Sequence, residues 1–194
     1  GAVRAAEKAL RSNPTHFSVV YQAARMLRTV SRFSESEKHF RACTEGPIAL
    51  GQPPHAVAYA HNEYGHLLSQ LGRTAEAYRQ WRLSVEVDPS FAQGWVNMAA
   101  QDSSLEESIA AYEKALGLNP SLVEAWINVG QVYYNSFRLD PTYMEQALKA
   151  FQTARDVDPH SSSALYSLIR TTVDLCRWEK QQEHFREMAE GQGF

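Results

Sequence analysis

Small and apolar residues recur at helical spacing through TAEAYRQWRLSVEV, residues 74–87. Ala77, Trp81 and Ser84 fall at i, i+4 and i+7, which predicts an amphipathic helix whose inner stripe alternates small and large side chains. A turn at Gly72 precedes this helix and Asp88-Pro89 closes it, because a proline ring cannot continue the hydrogen-bond ladder. Gly65 stands 12 residues before Ala77 on the preceding helical stretch. The order is therefore small, glycine turn, alanine, aromatic, small, proline. Pro14, Pro89, Pro120 and Pro159 each follow Asn or Asp and close AEKALRSNP, LSVEVDP, YEKALGLNP and FQTARDVDP. These prolines set the register, and the gaps between them are 75, 31 and 39 residues.

Taken in order, the pattern predicts a helix over 2–12 and then a pair over 17–30 and 33–43. Ala24 and Leu27 face inward on the first of these, and Ser36, Phe40 and Cys43 on the second. TEGPIALGQPPH, with three prolines and two glycines, reads as a long connection. Helices over 56–71 and 74–87 form the most regular pair. The next first helix, 91–101, carries Trp95 and Ala99 and is cut short at Asp102-Ser103-Ser104, which also supplies an N-cap for LEESIAAYEKAL. Residues 122–134, with Trp126 and Gly130, pair with 146–156, and NSFRLDPTYMEQ lengthens the turn between them. Helices over 161–175 and 178–190 make a last pair without the aromatic and proline signature, as a capping or transition element would.

The ordered small, aromatic and proline positions resemble the tetratricopeptide repeat, a helix–turn–helix unit of about 34 residues. The resemblance covers nearly the whole chain. It implies an all-α, right-handed superhelical solenoid in a single array: 1–14 the second helix of a truncated repeat, 17–50 a repeat, 58–91 a repeat, 92–122 a shortened repeat, 123–161 a repeat with an insertion, and 162–194 a degenerate pair. The opening half-repeat is read as the continuation of an upstream segment. Each pair has two apolar sides and buries both by stacking on its neighbours. Small residues permit the close approach: Ala24, Gly65, Ala99 and Gly130 on first helices, Ala77, Ser108 and Ala147 on second helices. Phe40, Trp81, Tyr112 and Phe151 fill the space between, as core rather than as a platform for bases.

Such an array implies a concave groove lined by first helices, whose outward side chains are free of packing duty. By register these are Tyr21, Gln22, Arg25, Arg28, Asn62, Glu63, His66, Asn97, Asn128, Gln131 and Arg170. The set is polar, mixed in charge and rich in amides, which suits hydrogen bonding to an extended backbone. FAQGWVNMA and LVEAWINVG resemble the asparagine-bearing first helices of O-linked N-acetylglucosamine transferases. That likeness implies Asn97 and Asn128 as members of a substrate-holding ladder, while the corresponding positions elsewhere hold Gln22, Glu63 and Ser167. Cys176-Arg177-Trp178 and the polar stretch after it resemble the segment where those repeats meet the catalytic part. The groove positions of chaperone-tail binders, which carry a carboxylate clamp, hold Tyr21, Arg25, Glu63, Gln93, Asn97, Glu124 and Asn128 here, with no lysine among them.

Composition narrows the chemistry further. The 194 residues are 44% hydrophobic and 21% charged with a formal net charge of −3, so no general nucleic-acid or membrane-surface binder is expected. No apolar run reaches the length of a membrane span, and GAVRAAEKAL lacks the sustained apolar core of a signal peptide. Two distant cysteines, Cys43 and Cys176, give no disulfide framework and read as thiols in a reducing compartment, cytoplasmic or nuclear. His55, His61 and His66 are spaced by six and five residues, off the i, i+4 geometry of helical metal ligands, so no metal is expected. Cys43 falls at a core position. Glu106-Glu107 complement a helix dipole, and RQWR at 79–82 reads as a solvated face around a core Trp. No catalytic motif or cofactor site emerges. The expected function is a protein–protein interaction module that takes a peptide or protein segment in the groove. The alternative is the non-catalytic, substrate-recognising part of an O-linked N-acetylglucosamine transferase-like enzyme. Self-association through the end faces is a further expectation.

Overall fold

The computed structural model describes the backbone of residues 2–101 and 104–191 and the side chains of 4–101 and 104–183. Among these residues the chain forms ten α-helices and no strand. They are α1 (Ala2–Ser12), α2 (Phe17–Thr29), α3 (Phe33–Thr44), α4 (Pro54–Gln70), α5 (Thr74–Val87), α6 (Ala92–Ala99), α7 (Leu105–Leu118), α8 (Val123–Ser136), α9 (Thr142–Val157) and α10 (Ser162–Gly191). They fall into two compact units, Gly1–Asp102 and Ser103–Phe194. The division lies between α6 and α7, two helices that the sequence reads as one shortened repeat within a single array.

In the first unit α2 pairs with α3 and α4 with α5, while α1, α3 and α5 each pack on the next first helix. The size alternation decides how closely a pair approaches. Ala24, Phe40, Tyr64, Leu67, Leu68, Ala77 and Trp81 form one buried cluster. A Cβ on Gly65 would lie 2.7 Å from Cδ1 and 2.8 Å from Cε2 of Trp81, so the α4–α5 contact leaves no room for a side chain there. The indole is pinned as well, because Trp81 Nε1 donates to the Asn62 carbonyl at 3.2 Å. Ser36 Oγ donates to the Ala24 carbonyl at 2.7 Å in the α2–α3 contact. Cys43 packs with Val20 and Ala60.

The turns repeat as well as the helices. Asp88 Oδ1 accepts from the Ser90 N–H at 3.0 Å, and Asn119 Oδ1 from the Ser121 N–H at 3.1 Å. Asp158 Oδ1 accepts from the His160 N–H at 3.0 Å. An Asn or Asp before each of these prolines thus closes its own turn through the side chain. On the first helices Trp95 and Trp126 donate back to the carbonyls of Pro89 and Pro120, at 3.0 and 2.9 Å. Between α4 and α5 Gly72 adopts a positive φ of 74°, and Ser31 takes the same role between α2 and α3 at 61°. Arg73 then ties Glu37 of α3 to Glu76 of α5, at 2.9 and 2.6 Å, as Arg32 ties Glu7 of α1 to Glu35 of α3.

In the second unit α8 packs on α7, α9 and α10. A Cβ on Gly130 would lie 2.7 Å from Phe151 Cε1, the same glycine–aromatic contact as in the α4–α5 pair. Two expectations change. The insertion does not lengthen the turn to residue 146. Asp140-Pro141-Thr142 makes another side-chain-closed turn, Asp140 Oδ1 accepting from the Thr142 N–H at 2.9 Å, so α9 starts at Thr142. The expected final pair is one helix, α10, because neither glycine nor proline interrupts residues 161–190. Trp178 of this helix stands edge-on to Phe137 at 5.9 Å. Ser104 is the N-cap of α7, its Oγ accepting from the Glu107 N–H. Asp102 and Ser103, read with it, lie outside the described residues.

Candidate functional site

In the first unit the first helices α2, α4 and α6 lie side by side, and their outward residues form one polar face. On α2, Gln22 and Arg25 are exposed and Tyr21 is half-buried. Arg25 covers the Tyr21 ring at 5.8 Å and reaches Glu63 at 3.5 Å. Arg28 donates to the same Glu63 carboxylate at 2.8 Å, and its side chain is only 18% exposed. Burial, then the Glu63 charge, pushes the Tyr21 hydroxyl up to about 12. This end of the face offers cations and an aromatic ring around a carboxylate that is already paired.

Next along the face, the reading of free side chains is corrected at two positions. Asn62 and Asn97 are buried, 4% and 9% exposed. Asn97 Nδ2 donates to Asn62 Oδ1 at 2.6 Å and lies 3.3 Å from His66 Nε2. Gln93 Nε2 reaches Asn97 Oδ1 at 3.5 Å. These amides join α4 to α6 because adjacent first helices approach closely enough for short side chains to meet. The Asn62 and Asn97 amides meet each other inside the protein, while His66 and Gln93 beside them are half-buried.

The second unit carries Asn128, Gln131 and Arg170 on α8 and α10. Asn128 is half-buried and hydrogen-bonds the Tyr112 hydroxyl, which burial, foremost, raises to about 12. Arg170 donates to Gln131 Oε1 at 2.8 Å and lies 4.3 Å over the Tyr134 ring. Tyr134 donates to Asp174 at 2.5 Å. The sequence reading missed Tyr134 and Asp174. The signal was present, since Asp174 lies four residues after Arg170 and so shares its helix face. Beside them a cleft of about 640 Å³ is lined by Tyr134, Phe137, Arg138, Asp174, Arg177 and Trp178.

The remaining candidates take structural places. His61 is buried and its Nδ1 lies 2.8 Å from Gln80 Oε1, so Gln80 is an inward residue within the RQWR stretch read as solvated. Arg79 and Arg82 are exposed. His55 is exposed and His66 half-buried, and among the described residues no three His, Cys, Asp or Glu side chains gather as a metal site would require. Burial pushes the Cys43 thiol up to about 12, away from reactivity; Cys176 is exposed. Among the described residues no helix is long and apolar enough to cross a membrane.

A family model described as "TPR repeat" matches residues 100–136. Tetratricopeptide repeat-containing protein trd-1 of Caenorhabditis elegans is 34% identical over 79 residues, 39% of this chain and 10% of that protein. Protein O-mannosyl-transferase TMTC3 of Homo sapiens is 24% identical over 171 residues, 78% of this chain and 18% of that protein. The chain thus spans under a fifth of either relative. Among solved structures, MamA superposes with a TM-score of 0.62 at 17% identity, over 82% of this chain and 88% of that one. YrrB, a TPR protein with an unusual peptide-binding site, gives 0.60 at 20%, over 86% and 81%. The first TPR of Spaghetti (RPAP3), bound to the HSP90 peptide SRMEEVD, gives 0.55 at 20%, over 61% and 93%.

Proposed function

From a chain that is a tetratricopeptide-repeat array, we infer a protein–protein interaction module that takes an extended peptide segment along the first-helix face of α2, α4 and α6. The observation that carries this reading is the exposed end of that face. Gln22 and Arg25 project there beside the Tyr21 ring, with Glu63 and His66 next along it. An amide, a guanidinium and an aromatic ring within one strip can hydrogen-bond a peptide backbone and pair an acidic side chain. The peptide-bound RPAP3 domain and YrrB support it as likenesses of fold. Binding here involves no covalent step, cofactor or metal. The buried Cys43 and the exposed free Cys176 fit work in a reducing compartment, cytoplasmic or nuclear.

Selection of binders from a random-peptide library against the whole chain tests this reading. Gln22→Ala and Arg25→Ala are exposed changes, expected to alter stability by no more than about 0.5 kcal/mol. Each is expected to weaken the selected peptides about tenfold, the loss of one net hydrogen bond or charge contact. Peptides that bind both variants as well as the wild type place the site elsewhere. The second reading, a non-catalytic part of a glycosyltransferase, is favoured by the likeness to the O-mannosyl-transferase over 78% of this chain. The enclosure of Asn97 against Asn62 weighs against a free asparagine ladder serving it.

A further inference from the structure

We propose that the polar cleft between α3, α4 and α5 is a binding site for a free α-amino acid. One exchange in the repeat register creates it. Four residues before the small position of each first helix, α2, α6 and α8 are apolar, with Val20, Trp95 and Trp126. At that position α4 has His61. Gln80, which His61 meets, stands where α7 and α9 have Ala111 and Ala150. A large ring and a methyl group are thus exchanged for a smaller polar ring and an amide.

The exchange puts polar groups inside the protein. His61 and Gln80 are 5% and 7% exposed, and the His61 Nδ1–H donates to Gln80 Oε1 at 2.8 Å. On a neutral ring this leaves the lone pair of Nε2, which meets no hydrogen-bond donor among the described residues. Both side chains line a cleft of about 460 Å³, to which Leu83 of α5 contributes an apolar wall. Cavities of this size hold small molecules. No residue of the first-helix peptide face lines it.

The charges on the walls select the ligand. Arg41 of α3 and Arg79 of α5 both line the cleft. Arg79 is exposed and, among the described residues, has no ion-pair partner. Arg41 has a 3.4 Å contact with Glu45 between two exposed side chains. Arg73, also on the wall, is already engaged by Glu37 and Glu76. Two guanidiniums therefore remain to pair a carboxylate. Glu45 supplies the opposite sign, close enough to His61 for its charge to favour the imidazolium. The Glu45 carboxylate and the Nε2 lone pair are both acceptors, which an ammonium with several N–H donors satisfies. Arg41, Arg73 and Arg79 are balanced by Glu37, Glu45 and Glu76, so the cleft has no surplus charge for a phosphate or another multiply charged anion. A zwitterion matches this arrangement. Its carboxylate pairs Arg79 and Arg41, its ammonium donates to His61 Nε2 and Glu45, and its side chain lies along Leu83.

Isothermal titration calorimetry of the whole chain with each of the common L-amino acids tests this. At least one is expected to bind at millimolar concentration or below. Its carboxamide, which lacks the carboxylate, and its N-acetyl derivative, which lacks the ammonium, are each expected to bind at least about tenfold more weakly. Arg79→Gln is an exposed change and is expected to weaken the amino acid by a similar factor. His61→Trp with Gln80→Ala restores the residues of α6–α9 and is expected to abolish binding. Circular dichroism reads whether that double variant keeps its fold; should it not, Arg79→Gln and the two blocked analogues carry the test. Peptides selected on the first-helix face are expected to bind Arg79→Gln as tightly as the wild type, so the two sites stand or fall separately. Absence of binding by every amino acid at millimolar concentration overturns the proposal. Binding that either blocked analogue matches, or that Arg79→Gln leaves unchanged, overturns it as well.

Discussion

Gly130→Ala in α8 should destabilise the second unit, although alanine is the better helix former. Two terms compete. Replacing a helical glycine by alanine favours the helix by about 0.5–1 kcal/mol. Against it, the new Cβ would lie 2.7, 2.9 and 3.0 Å from Cε1, Cδ1 and Cζ of Phe151. Phe151 is fully buried, so its ring can yield only by displacing its own neighbours. Overpacking of that kind costs about 1–3 kcal/mol. The net loss is about 1 kcal/mol. Gly117→Ala in α7 is the matched control, in the same unit and on an exposed helix position where a Cβ meets nothing within 4 Å. It should gain up to about 0.5–1 kcal/mol. The two variants share the helix term, so their difference isolates the steric one, about 1–3 kcal/mol. Urea unfolding followed at the second unit's amides by hydrogen exchange reads both without mixing the two units' transitions. Equal stabilisation by both substitutions would refute the close α8–α9 contact. Adding Phe151→Leu to Gly130→Ala should then recover part of the loss, a coupling that distant sites would not show.

The first unit supplies two more expected outcomes. Asn97→Ala should cost about 1–3 kcal/mol, because it removes the donor to the buried side-chain oxygen Asn62 Oδ1. Urea unfolding checks this, and an unchanged midpoint would restore Asn97 as a free groove side chain. His61 is held below its ordinary pKa by burial, which outweighs the hydrogen bond that its Nδ1–H donates to Gln80 Oε1. The folded state therefore favours neutral imidazole. Its contribution is complete above the unfolded value of about 6.5 and is lost as pH falls from there through the lower folded value. Stability of the first unit should drop below a pH of about 6.5 in wild type and less steeply in His61→Gln; parallel pH profiles would exclude His61 as a source.

Much of the fold was legible because its signals are local. Proline ends a helix through its own ring, and an Asn or Asp before it closes the turn through its own side chain. The stripe of Ala77, Trp81 and Ser84 depends only on helical period. The candidate face was legible by register but not by state. Asn62 and Asn97 were placed on the correct helices, and nothing in one helix reveals that its amide meets an amide 35 residues away. Gln80 was misread for the same reason, since its partner His61 lies on the neighbouring helix. Tyr134 and Asp174 were missed because they become a site only where α8 meets α10.

The amino-acid order by itself determined helix identity, turn chemistry and the size code that pairs small first-helix residues with large second-helix ones. These are set by backbone sterics and side-chain volume within a few residues. Tertiary structure alone decided which polar groups stay open to solvent, where the compact units divide, and which apolar side chains of α10 face outward. Those outcomes depend on distances between helices, and a hydrogen bond or a buried contact exists only once two distant segments have come within reach.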